Sequence, residues 1–249
     1  MIYHVLNGDA MTPTFVETQL EGKIAVTREA LIDGGLEGDS LEEFWKARAI
    51  ALGITDTEYQ NAAGEEFRKI LAAPDGSEFN LWFEYDLFCQ VNMWFVLSLI
   101  HSLPINKKVY AVYTSYLGRE DKNFWNGFGP ALRDDLLSCF KNRVLLSDED
   151  IRYGNQLWQA YKDGNLDELN TLSLEQRTGF PYLREVIEAH IDRFPVNGGK
   201  GRPEKALEKI METTPTDFYT VFRKFWEKES IYGFGDVQLK KIYDKIVHT

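Results

Sequence analysis

The sequence predicts an α/β protein, with a Rossmann-like, mostly parallel sheet of about four strands in the N-terminal half and an all-α C-terminal half. Three observations carry this. Four short apolar runs, at 2–6, 23–27, 79–83 and 108–115, are separated by segments of helical period, the pattern of βαβ units. Beyond residue 117 nothing reads strongly as strand, while apolar residues keep recurring at helical spacing. A chain of 249 residues with 44% hydrophobic content can bury one large core or two modest ones.

Taken in order, IYHVL at 2–6 is a strand stopped by Asn7-Gly8, a turn-forming pair. A short helix is expected over 11–20, with Thr12 and Pro13 at its start. KIAVT at 23–27 is a second strand, followed by a loop through Arg28, Glu29, Asp33 and Gly34-Gly35. Ser40 with Glu43, and Thr55 with Glu58, have capping-box spacing and open two helices, the second running to about residue 73. FNLWF at 79–83 is the third strand, ending in Glu84-Tyr85-Asp86. The helix expected over 87–103 is apolar nearly all round and so must pack on more than one side. KVYAVYTS at 108–115 is the fourth strand. A glycine-punctuated connection follows over 118–130. Helices are then expected over 131–142, 148–162, 165–172, 182–193, 203–213, 216–229 (capped by Thr216) and 236–247. The implied division is an α/β domain at 1–117, a helical region at 118–199, and a three-helix, possible helix-turn-helix-like, segment at 200–249.

Charge and cysteine usage limit the function classes. The net charge is -11, so the chain as a whole repels phosphate backbones. Residues 200–249 hold 10 Lys+Arg against 8 Asp+Glu, a net of +2, and residues 1–199 hold 18 against 31, a net of -13. The longest apolar stretch, 91–103, is too short and too polar to span a bilayer. The first ten residues lack the pattern of a secretory signal. Cys89 and Cys139 lie in apolar surroundings and read as small buried hydrophobes. A cytoplasmic protein is expected.

In parallel α/β sheets, ligands bind outside the carboxyl ends of the strands. Three of the four expected strands end in polar groups: Asn7-Gly8-Asp9, Arg28-Glu29, and Glu84-Tyr85-Asp86. The candidate ligand-binding set is therefore Asn7, Gly8, Asp9, Arg28, Arg48, Glu84 and Asp86. Gly8 lets the backbone approach a ligand, the carboxylates suit acid–base work or an oxygen-ligated cation, and Arg28 and Arg48 suit an anion. The simpler reading is structural: Asn-Gly-Asp is a common turn, Asp9 and Asp86 could cap helices, and Arg28 could neutralise them. No GxGxxG, P-loop, GxSxG or HExxH motif occurs, so no cofactor, no metal and no catalytic residue is assigned. His4, His101, His190 and His248 are scattered and read as packing or surface residues. Gly198-Gly199-Lys200-Gly201 has the composition of a phosphate loop, but follows no strand and reads as a connector.

The stretches HVLNGDA, TREALIDGGLEGDSLEEFWKARA and LWFEYDLFCQ, with QLWQAYKDGN, HIDRFP and YGFGDVQLKKIYDKI further on, resemble the bacterial domain-of-unknown-function family numbered eighteen thirty-five and its accompanying helical region. The resemblance covers nearly the whole chain. It implies a bacterial protein with an α/β half and a helical half, and it supplies no activity to carry over. The matching positions are Asn7, Gly8, Asp9, Arg28, Asp33, Gly34, Arg48, Trp82, Glu84, Asp86 and Gln90. The family pattern often has His at position 85 and Asp at 89, where this chain has Tyr85 and Cys89, two fewer potential metal ligands.

Two functions follow. The first is binding of a small polar or phosphorylated ligand at the strand ends, with or without enzymatic turnover. The alternative is a regulatory or interaction module whose C-terminal helices contact nucleic acid or a protein, with Lys240 and Lys241 as the basic face; ordinary core packing of that helix is the simpler reading. The sequence specifies no oligomeric state.

Overall fold

The computed structural model describes residues 1–114, 127–195, 198–213 and 217–248. Its centre is a five-stranded sheet in the order β2-β1-β3-β4-β5, with β1 Ile2–Leu6, β2 Lys23–Val26, β3 Ser77–Trp82, β4 Lys107–Val112 and β5 Val144–Leu146. The first four strands run parallel, and β5 pairs antiparallel with β4 on the edge. The α/β half followed by helices is thus as expected, with one strand more. VLL at 144–146 is too short to show alternation, and only its pairing with Val109–Ala111 makes it a strand. The expected run to 115 stops at Val112; residue 115 and the 117/118 domain boundary lie outside the described residues.

The chain leaves β1 for β2 on one side and returns to β3 on the other. The tips of β1 and β3 therefore flank the topological switch point, the place at which open α/β sheets bind their ligands.

Strand residues alternate between two apolar layers. Tyr3, Val5, Phe79 and Leu81 enter the main core, while Leu6, Trp82 and Val112 join a second cluster with Phe15, Leu136 and Cys139. Covering the second face are α1 (Thr12–Glu17) and α6 (Arg133–Lys141). The main face carries α2 (Leu41–Leu52), α3 (Asp56–Tyr59), α4 (Glu65–Leu71), α5 (Leu87–His101) and α7 (Asp148–Lys162).

Both expected capping boxes form, Ser40 with Glu43 and Thr55 with Glu58. The helix opened by Thr55 is not regular to 73. A π-turn over Gln60–Gly64 separates α3 from α4, a local distortion that no spacing in the sequence announces. Twelve of the fifteen residues of α5 are buried, because the sheet packs on one side and α7 on the other, with Phe44, Phe95 and Trp158 in ring contact between them.

The remaining helices are α8 (Leu166–Leu172), α9 (Leu183–Ile191), α10 (Arg202–Thr213), α11 (Phe218–Glu229) and α12 (Asp236–Val247). Thr216, the expected cap of α11, lies outside the described residues; Asp217 accepts from Thr220 N at 2.9 Å instead. One apolar cluster runs from Tyr3 to Leu239 through all three expected segments. The β2–α2 loop is gripped from the C-terminal side. Tyr161 donates to Leu31 O at 3.3 Å, Arg193 to Ile32 O at 2.9 Å, and Gln238 and Lys241 to Asp33 at 3.1 and 2.9 Å. Among the described residues no helix is long and apolar enough to cross a membrane.

Candidate functional site

The tip of β1 is fixed from both neighbours. Asn7 N donates to Trp82 O of β3 at 3.3 Å, and Thr27 N donates to Leu6 O at 2.8 Å. Gly8 then takes φ 87 and ψ 168, a backbone state that side chains disfavour. That turn delivers Asp9 to the exposed start of the 3-10 turn leading into α1.

Between β1 and β3 the side chains form one hydrogen-bonded chain. Asn7 Nδ2 donates to Cys89 Sγ at 2.9 Å, and Cys89 Sγ donates to Glu84 Oε2 at 2.7 Å. Glu84 Oε1 accepts from Phe128 N at 2.9 Å. Asp86 caps α5, its Oδ1 accepting from Cys89 N at 3.0 Å. On the other side, Asn92 Nδ2 donates to Asn7 Oδ1 at 2.8 Å and to Glu29 O at 2.9 Å. The chain therefore links all three strand tips.

Beyond Glu29 lies a buried charge pair. Arg48 Nη2 approaches Glu29 Oε2 at 2.7 Å with both side chains fully buried, and Tyr59 Oη donates to Glu29 Oε1 at 2.6 Å. Arg48 also donates to Asp33 O at 2.9 Å, to Ala30 O at 3.2 Å and to Gly34 O. Arg28 is at the surface. It grips Asp9 with two bonds, 2.8 and 3.0 Å, and reaches Glu66 at 3.4 Å.

The charges divide accordingly. Arg28 holds the Asp9 carboxyl below the usual range. Burial, reinforced by the Glu84 charge, pushes the Asp86 carboxyl up to about 7. Burial and the two carboxylates push the Cys89 thiol well up, so it remains a proton donor to Glu84. Glu84, Asp86 and Cys89 could each offer one ligand atom, all within 4.8 Å of one another. Metal binding there would require expelling the thiol proton that now bonds Glu84. The set that stands ready is two oxygens with one mobile proton.

The expected residues thus fall into three groups. Asn7, Glu84 and Asp86 converge at the β1/β3 tips, with Gly8 in the adjoining turn. Asp9 and Arg28 form a pair on the rim. Arg48 meets the tips only through Glu29 behind β2; its guanidinium is committed to Glu29 and loop carbonyls, which corrects its assignment as an anion holder. The lysines of α12 are also used inside the chain, with Lys240 on Asp244, Lys241 on Asp33 and Lys245 on Glu204.

The chain matches no protein-family model, no curated protein and no solved structure. The reading of the site rests on its geometry.

Sequence reasoning missed Asn92, Tyr59 and Glu66. Asn92 carries a visible signal: an amide inside an otherwise apolar helix must find hydrogen-bond partners. Cys89 is buried as expected, yet it is a polar link rather than a plain hydrophobe.

Proposed function

We propose that this chain binds a small polar ligand at the tips of β1, β2 and β3. Asn7, the Gly8 backbone, Glu84 and Asp86 form its inner wall, and Asp9 and Arg28 its rim. The observation that carries this reading is the joining of Asn7 to Glu84 and Asp86 through Cys89 at the β1/β3 switch point. A buried carboxyl near neutrality at a topological switch point is the kind of group found at functional sites.

The charges favour one chemical class. Arg28 is engaged by Asp9 and Glu66, and Arg48 by Glu29. That leaves no uncommitted guanidinium at these tips among the described residues. Carboxylate and amide oxygens accept from hydroxyl and amino groups, so the reading is a ligand rich in hydroxyls or amines rather than a phosphorylated one. Any proton transfer to the ligand falls to Asp86, with Glu84 as its neighbour.

A thermal-shift screen of polyols, amino acids and polyamines tests this. A ligand at a hundred times its Kd stabilises the fold by about 2.7 kcal/mol. Glu84→Gln and Asp86→Asn are expected to abolish the shift while the unliganded variants stay folded. A hit that stabilises both variants as strongly as the parent chain, or a screen in which no polyol, amino acid or polyamine stabilises the parent chain, overturns the proposal.

A further inference from the structure

A cavity of about 410 Å³ opens between the end of α9, the Arg202–Lys209 stretch of α10 and the end of α11, sharing no residue with the strand tips. Its wall contains four cations, Lys200, Arg202, Lys205 and Lys209, against two carboxylates, Asp192 and Glu229. Two of the cations are committed. Lys200 pairs with Glu208, and Arg202 lies 2.9 Å from Glu229 and 3.4 Å from Asp192.

Lys205 and Lys209 differ. They stand four residues apart on one face of α10, both exposed, and neither meets a carboxylate among the described residues. Like charges at that spacing destabilise a helix. In a chain of net charge -11, two uncompensated ammonium groups turned into one concavity are a feature the fold itself does not use.

The cavity also has an apolar face. Phe194 is 47% exposed in its wall. Its ring is braced edge-on by buried His190, centroids 5.2 Å apart. The start of α10 is fixed as well: Gly201 lies so close beneath the Arg193 carbonyl that a Cβ would come within 2.0 Å of its oxygen, and Arg202 N donates to Asp192 O at 2.7 Å.

We propose that this cavity binds a phosphorylated small molecule carrying a flat aromatic body, its phosphates on Lys205 and Lys209 and its ring against Phe194. The volume falls among small-ligand sites, roughly 300–1,000 Å³. A nucleic acid fits less well, because two unpaired lysines in one concavity neutralise few phosphates and a chain of net charge -11 repels the rest of a continuous phosphate backbone.

Calorimetry on the full chain at low salt, with ADP as the probe and inorganic pyrophosphate as its ring-free half, tests the proposal. ADP is expected to bind more tightly than pyrophosphate. Lys205→Gln/Lys209→Gln should weaken ADP at least tenfold, and these exposed side chains can be changed without disturbing the core. Phe194→Ala should weaken ADP several-fold and leave pyrophosphate unchanged. Asp86→Asn should bind ADP like the parent chain, which keeps this site's fate separate from that of the strand tips. No ADP binding up to millimolar concentration, full binding by the double-lysine variant, equal affinity for ADP and pyrophosphate, or displacement of ADP by a short DNA duplex at equal phosphate concentration overturns it.

Discussion

Arg48 and Glu29 form a salt bridge closed off from water: Nη2 lies 2.7 Å from Oε2, and both side chains are fully buried. Removing one partner strands the other charge in the core. Arg48→Met is therefore expected to cost about 3–5 kcal/mol in denaturant unfolding. The double variant Arg48→Met/Glu29→Gln should cost clearly less than the two singles added together, since neither charge is then left alone. Additive costs would show that the pair is not coupled as the distances imply.

Asp86 makes stability depend on pH in a defined direction. Its carboxyl releases its proton near pH 3.8 in the unfolded chain and near about 7 in the fold. Between those values the fold binds more protons than the unfolded chain, so the contribution is full at the acid end and lost as pH rises through the window. Asp86→Asn keeps an effective helix cap and removes this titration. Relative to the variant, the parent chain should lose urea stability from the acid to the neutral end of the window. Parallel pH profiles would contradict it.

His190 acts with the opposite sign. Burial, with Arg193 nearby, lowers it to about 3 from 6.5, and its Nδ1 is buried without a partner among the described residues. The unfolded chain takes up this proton first, so stability is full above 6.5 and falls as pH drops toward 3. His190→Leu should flatten that acid limb. In the parent chain, the ring resonances of His190 should stay those of neutral imidazole well below pH 6.5.

Gly233 packs the C-terminal half against Asp86 at the strand tips. It has φ 62, and a Cβ there would lie 1.9 Å from Asp86 Oδ1. Gly233→Ala combines a left-handed backbone cost with overpacking and should lose about 2–4 kcal/mol. Gly53→Ala is the matched comparison, left-handed at φ 70 and ψ 29 with nothing within 4 Å, and should lose only the backbone part, about 1–2 kcal/mol. Equal losses at the two positions would mean that the contact with Asp86 relaxes freely.

Much of the architecture was legible because its signals are local. The four parallel strands show as apolar runs, the Ser40 and Thr55 boxes as residue pairs three apart, and α7 as a period that the structure reproduces over Asp148–Lys162. β5 and the π-turn at Gln60–Gly64 were not legible, since three residues are too few for a period and a distorted turn keeps an ordinary composition.

The sequence by itself determined that polar residues close the strands and that a helical half follows. It named Asn7, Asp9, Arg28, Glu84 and Asp86 as residues at those ends. Tertiary structure alone decided their partners. Arg28 took Asp9 from 19 residues away, Arg48 took Glu29 rather than a ligand, and Cys89 and Asn92 joined Asn7 across 82 and 85 residues. The reason is physical. Helix and strand periods arise within a few bonds of the backbone, whereas a buried charge or amide is satisfied by whatever group the packed fold brings within about 3 Å, and no local pattern encodes that group.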